Sequence, residues 1–310
     1  MTEKKYIGVD IGGTAIKTGI IDESGAVFSK TETEIDRSCE RESVMQTVAR
    51  SIREIASAAD MEDFAFAGIG VSAPGSIDTV RGKVAINGGN VPGWSGTEVC
   101  SALRAEFELP VAVANDGNCT ALAEAWVGAA RGCSDVLCVA LGTGIGGGIV
   151  SGGRLIGGAR GFAGEIGHFT THAGGRECIC GGRGCFERYA ATSALVNEGQ
   201  TMRPEWISGR AIFKDANEGD KEALSLIDRW TDEIALGIAS LVHIFNPEVV
   251  LIGGGVSVQE ELVIKPVAEK VRRQIMPDFA EGLIISRAEL GNDAGMVGAV
   301  KNLVNRMCDN

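Results

Sequence analysis

The chain has no run of apolar residues near the length that crosses a bilayer, so nothing in it reads as a membrane span. Met1 to Ile7 carry two lysines and lack the apolar stretch of a secretory leader, so a cytoplasmic protein is expected. Positive charge is in the minority. Lys and Arg number 29 against 41 Asp and Glu, a net charge of −12. That balance repels polyanions and argues against a nucleic-acid partner. It leaves a phosphorylated small molecule open, because glycine-rich loops hold phosphates through backbone amides. Biased tracts and short solenoid repeats are also missing. At 310 residues the chain suits two domains or one large one.

Cysteine is present nine times. In a cytoplasmic chain of this size cysteines serve as metal ligands or small core residues more often than as disulfides. Cys119, Cys133 and Cys138 lie in apolar segments and read as packing, while Cys39, Cys100 and Cys308 carry no functional signal. The other three follow His168 as H-x9-C-x-C-x4-C, through Cys178, Cys180 and Cys185. Three thiolates and an imidazole make the donor set of a closed, tetrahedral structural zinc site. Gly181, Gly182 and Gly184 allow the tight turns that aim neighbouring thiolates at one ion. On spacing alone, His172 is an alternative ligand.

Strand-type runs lead into glycine turns along the chain. Tyr6 to Ile11 reads as a strand, Gly12-Gly13-Thr14 as a turn, Ile16 to Ile21 as a second strand, and Val27 and Phe28 as part of a third. Apolar spacing predicts helices over 41–59, 96–107, 118–129, 222–244 and 259–275, and a final one from about 294 to 306 capped by Asn292 or Asp293. Further strands are expected at 65–71, 111–114, 136–141, 249–252 and 283–285, with 160–188 mostly loop. The strand–glycine turn–strand pattern occurs at 6–21 and again at 136–150. This echo suggests two similar α/β lobes meeting near 115–118: a small lobe over 1–116, joined by a C-terminal helix at about 294–310, and a large lobe over 117–293.

Five constellations at strand ends carry chemistry. Asp10 can hold a hydrated Mg²⁺, while Gly12, Gly13, Thr14 and Lys17 suit a phosphate; an ordinary hairpin turn would look similar. Gly142-Thr143-Gly144 opens a second glycine turn that ends without the G-K-[ST] of a P-loop. Asn115-Asp116 follows an apolar strand, where Asp116 suits a general base toward an attacking hydroxyl or, equally, a helix cap. Glu165 and Glu187 flank the metal segment and suit sugar hydroxyls, or are solvated charges. Gly253-Gly254-Gly255 follows a buried strand and permits flat approach of a planar ring such as adenine.

Taken together, these residues resemble the ROK family of bacterial sugar kinases and sugar-responsive repressors. The run D-x-G-G-T-x-x-K begins at Asp10. E-x-G-H and C-x-C-G-x-x-G-C-x-E run from Glu165 to Glu187 without a gap. The resemblance implies an actin-like ATPase (RNase H-like) fold of class α/β, with two lobes around a central cleft. It implies ATP with catalytic Mg²⁺ and a structural Zn²⁺, and Asp116 as base toward a hexose primary hydroxyl. It also implies sugar contacts from Gly75, Asn90, Asn115, Asp116, Glu165, His168 and Glu187. Nucleotide contacts are expected from Asp10, Gly12, Gly13, Thr14, Lys17, Gly142, Thr143, Gly144, Gly254 and Gly255. The family pattern selects His168 over His172 as zinc ligand. Asn90-Val91-Pro92-Gly93-Trp94 looks like a segment of the family's glucokinases and points to glucose, with N-acetylmannosamine, fructose and allose as alternatives. The repressors carry a helix-turn-helix domain ahead of the first glycine turn; with that turn starting at Gly12, a repressor is not expected. A homodimer or higher homo-oligomer is expected.

Overall fold

The computed structural model describes every residue except 1–2, 37, 39–41, 60–63, 87–90, 92 and 309–310. The chain begins with strands β1 (Glu3–Ile11), β2 (Ala15–Asp22) and β3 (Val27–Glu34) and helix α1 (Val44–Ser57). There follow β4 (Phe64–Ala73), β5 (Ser76–Asp78), β6 (Lys83–Ile86), α2 (Val99–Phe107), β7 (Val111–Asn115) and α3 (Asp116–Val127). Next come β8 (Val136–Leu141), β9 (Ile145–Ser151), β10 (Arg154–Leu155), α4 (Glu187–Ala190), α5 (Thr192–Met202), α6 (Gly209–Asn217) and α7 (Lys221–Phe245). The chain ends with β11 (Val249–Gly253), α8 (Lys265–Gln274), α9 (Pro277–Ala280), β12 (Ile284–Arg287) and α10 (Ala294–Cys308). These elements form two units. One comprises Met1–Gly132, Leu155–Gly164 and Asn292–Asn310; the other comprises Cys133–Arg154 and Glu165–Gly291.

The first unit is built on a five-stranded sheet of order β3-β2-β1-β4-β7. Its first three strands are antiparallel, and β1, β4 and β7 run parallel. Helix α1 buries Val44, Val48, Ile52 and Ile55, the 3.6-residue stripe seen in the sequence. A capping box between Ser43 and Gln46 starts it. Helix α10 packs on β1, β4 and α3, so α3 lies in the first unit although the sequence reading sets its division ahead of this helix. Glycine is the reason α10 and α3 lie so close: a Cβ at Gly298 would fall on the Cys119 carbonyl oxygen. Gly298→Ala would gain about 1 kcal/mol of helix propensity. Forcing α10 away from α3 is expected to reverse that gain and leave a net loss of about 1–3 kcal/mol. A lowered urea midpoint checks it.

The second unit repeats the plan with a sheet of order β10-β9-β8-β11-β12. Strands β8 and β9 form the antiparallel hairpin, and β11 lies parallel between β8 and β12. The 25-residue α7 buries one face, including Leu226, Trp230, Ile234 and Ile238. Asp220 caps its first turn, and Asn246 ends it in the left-handed conformation at φ 45°. The helix expected over 259–275 is interrupted: Glu260–Ile264 is a π-helical turn and α8 starts after it. Pro266 has no N–H to donate, so the regular ladder resumes with proline in the first turn. Helices α5 and α6 have no counterpart among the expected elements. Of α5 only Ala194, Leu195 and Gly199 are buried, which leaves little apolar periodicity to read. Among the described residues no helix is long and apolar enough to cross a membrane.

Candidate active site and metal centre

In the first unit the parallel register aligns the strand ends that carry the candidate site residues. Asp10 pairs with Ser72, and Ala73 pairs with Asn115. Ligands of α/β sheets gather at such carboxyl ends. Asp10 is half-buried and accepts a hydrogen bond from Ser72 Oγ at 2.6 Å. Burial raises its carboxyl above the usual range, while Ser72 and Lys17 pull it down. Lys17 lies opposite Asp10 on β2. Gly12, Gly13 and Thr14 form the exposed turn between β1 and β2, closed by Gly12 N donating to Ala15 O at 2.9 Å.

At Asn115-Asp116 the helix cap is supplied by Asn115. Asn115 Oδ1 accepts from the Gly117 and Asn118 amides at 2.9 and 3.3 Å, so Asn115 is the N-cap of α3. Its Nδ2 donates to Gly75 O at 3.1 Å, and Gly75 sits at φ 94°. One side chain thereby ties the Gly75 turn to the start of α3. Asp116 is the first helical residue, and its Oδ1 accepts from Gly117 N at 2.8 Å. Asn90 lies outside the described residues.

The second unit holds the metal cluster. Single ligand atoms of His168, Cys178, Cys180 and Cys185 all lie within 4.8 Å of one another. Cys180 Sγ and Cys185 Sγ are 3.6 Å apart, and Cys178 Sγ is 3.6 Å from His168 Nδ1. A disulfide would bring sulfurs to about 2.05 Å. A tetrahedron with metal–sulfur bonds of about 2.3 Å has edges of about 3.8 Å. The four donors therefore fit a structural zinc ion. Burial pushes the Cys178 thiol up to about 12 and raises that of Cys185, while the Gly182 amide lowers that of Cys180. A divalent cation is what lets three crowded sulfurs ionise together.

Local backbone places these donors. His168 ends a short 3₁₀ helix, Ile166–His168. The thiol loop folds on itself through Cys178 N to Gly182 O and Gly184 N to Arg176 O, at 3.0 and 2.8 Å. Gly181 and Gly184 take φ of 89° and 77°, which favour glycine. His172 stands apart from the cluster. Its ring stacks on Tyr189 at 3.9 Å, and its Nε2 lies 3.6 Å from Glu233 Oε2.

Glu187, the first residue of α4, joins the metal loop to the second glycine turn. Its Oε1 lies 3.1 Å from Cys178 Sγ. Its Oε2 lies so near Gly144 that a Cβ there would stand 2.7 Å away. Glu165 is exposed and its carboxylate is unpaired among the described residues. The turn itself is closed by Gly142 N to Gly144 O at 3.0 Å and held by Ser193 Oγ donating to Thr143 O at 2.6 Å. Beside it lies a cavity of about 710 Å³, lined by Gly142, Thr143 and Gly255 and by Ser193, Asn197, Arg210, Phe213 and Gln259. That volume suits a nucleotide-sized ligand. Gly144 and Gly254 are absent from its lining. Gly254 instead takes φ 88° where a Cβ would overlap Leu141 O, keeping β8 and the turn after β11 in contact. The lining residues of α5 and α6 were not found by sequence reasoning, because no glycine or carboxylate motif marks them.

A family model described as the ROK family matches residues 6–306. A glucokinase from Thermotoga maritima is 36% identical, with 99% of each chain covered. The ROK hexokinase of Thermus thermophilus has a similar structure at 33% identity and TM-score 0.83, covering 98% of this chain and 100% of that one. A ROK family glucokinase from Streptomyces griseus, solved with glucose and AMPPNP, matches at 32% identity and TM-score 0.77, covering 95% and 97%.

Proposed function

The chain belongs to the ROK family, and from that premise we propose that it is an ATP-dependent hexokinase that phosphorylates a primary 6-hydroxyl, with glucose as substrate. The observation that carries this reading is the contact of Glu187 with both Cys178 of the metal loop and Gly144 of the glycine turn. It joins the sugar-binding end of the second unit to its nucleotide-binding end. The names of similar kinases and the 710 Å³ cavity beside Thr143 support it further. The cytoplasm and a homodimeric state belong to the same reading.

In this mechanism the 6-oxygen of the sugar attacks the terminal phosphorus, an O–P bond forms, and the bond to the ADP oxygen breaks. Asp116 takes the proton released from the hydroxyl. Asn115 holds the start of α3 and the Gly75 turn in place. Glu165, His168 and Glu187 orient the sugar hydroxyls, and His168 is fixed because one ring nitrogen belongs to the metal cluster. Gly12, Gly13, Thr14, Lys17, Gly142 and Thr143 hold the phosphates, and Gly255 lines the base pocket. Asp10, a half-buried carboxylate offering the hard oxygen that magnesium prefers, would hold Mg²⁺, which supplies charge neutralisation on the phosphates. Zinc would bind His168, Cys178, Cys180 and Cys185, four protein ligands that leave no open position for chemistry.

The test is kcat/KM for glucose, N-acetylmannosamine, mannose, fructose and allose on one preparation, read by coupled ADP formation. Glucose is expected to lead by at least about tenfold, the scale on which one well-placed hydroxyl contact discriminates. A lead for N-acetylmannosamine would overturn the glucose assignment. Absence of hexose-dependent ADP formation would overturn the kinase reading.

A further inference from the structure

Ser72 is wholly buried on β4, directly beside Asp10 in the parallel register. Its hydroxyl hydrogen goes to Asp10 Oδ1 at 2.6 Å, the short distance of a charge-assisted bond. No other side-chain hydrogen bond to Asp10 is described, and Oδ2 accepts none among the described residues. The carboxylate is hemmed in on other sides. Gly295, in the first turn of α10, lies so close that an added Cβ would overlap it. From α3, Cys119 lies within electrostatic reach of Asp10 and Asp116 and within hydrogen-bonding range of Ser72. Burial holds its thiol well above the usual range, so it stays neutral and adds no second negative charge. Lys17 on β2 supplies the positive charge.

We propose that Ser72 is the positioning residue for Asp10: its buried hydroxyl holds Oδ1 and leaves Oδ2 as the oxygen that takes the hydrated magnesium of the nucleotide. The inference rests on the kinase reading above. A freely rotating Asp10 would present either oxygen and lose orientation on binding. Ser72 removes that freedom in advance. Its removal therefore acts on nucleotide–metal binding and leaves the hexose alone.

Ser72→Ala is expected to raise KM for Mg·ATP about tenfold with KM for glucose unchanged. Binding of Mn²⁺·ADP, followed by the electron paramagnetic resonance of free Mn²⁺, should weaken by a similar factor without any turnover. Thermal melting and glucose calorimetry establish that the variant is folded. Ser72→Cys, nearly isosteric with a weak S–H donor, is the second variant and should shift the same quantities in the same direction. An active wild type with both variants unchanged in Mn²⁺·ADP affinity and in KM for Mg·ATP overturns the positioning role alone. A wild type that forms no ADP with any hexose overturns the kinase reading and this inference with it.

Discussion

Asp116→Asn is expected to bind glucose within about threefold of the wild type while kcat falls by about three orders of magnitude, within the range that general-base removal produces. The start of α3 makes this a clean experiment. Asn115 already supplies the cap, so the substitution leaves that bond untouched. The carboxamide oxygen of asparagine can still accept from the Gly117 amide, as Asp116 Oδ1 does at 2.8 Å. What is lost is an oxygen that can take a proton. A first-turn negative charge near the helix N-terminus also goes, at a cost of about 0.3–1 kcal/mol. Calorimetry with glucose and a coupled ADP assay separate binding from turnover. Near-normal kcat would remove Asp116 as the base.

The second large effect is expected at the metal cluster. Cys180→Ala should reduce bound zinc from one equivalent to a small fraction of that, weaken glucose binding by about tenfold or more, and lower the melting temperature. Cys178 and Cys185 are buried, whereas Cys180 is exposed. Truncating Cys180 therefore opens no cavity, and its effect reports on the ion rather than on packing. Structural zinc contributes on the order of 10–16 kcal/mol of apparent binding free energy in small domains. Here the loop is also held by the stack of His172 on Tyr189, so part of the fold should survive metal loss. The sugar side should not survive intact, because His168 and Glu187 both touch Cys178 Sγ. Zinc analysis, melting curves and glucose calorimetry on the same sample check this. Loss of zinc with glucose affinity and melting both preserved would end the scaffold role.

Particular residues show which parts of this protein were legible beforehand. The two strand–glycine turn–strand runs correspond to the hairpins β1–β2 and β8–β9, because period-two apolar alternation and glycine turns are local signals. The three thiols were legible as a cluster for the same reason: their spacing is short, and the backbone between them has few ways to fold. His168 and His172 were not separable by spacing. They lie four residues apart, and only the folded loop sends one toward Cys178 and the other toward Glu233 on α7.

The sequence by itself determined the local chemistry: the donor set of the cluster, the glycine turns at strand ends, the carboxylates at 10, 116, 165 and 187, and the family resemblance they carry. Tertiary structure alone decided the partners of those groups. Ser72 reaches Asp10 across 62 residues of chain, Asn115 reaches Gly75 across 40, and α5 and α6 wall the cavity beside Thr143 without a motif to announce them. The physical reason is the range of the forces that specify each. Turn geometry and ligand spacing are settled within a few bonds. Hydrogen bonds between distant strands and the walls of a cavity exist only after the apolar faces of the sheets and helices have been buried together.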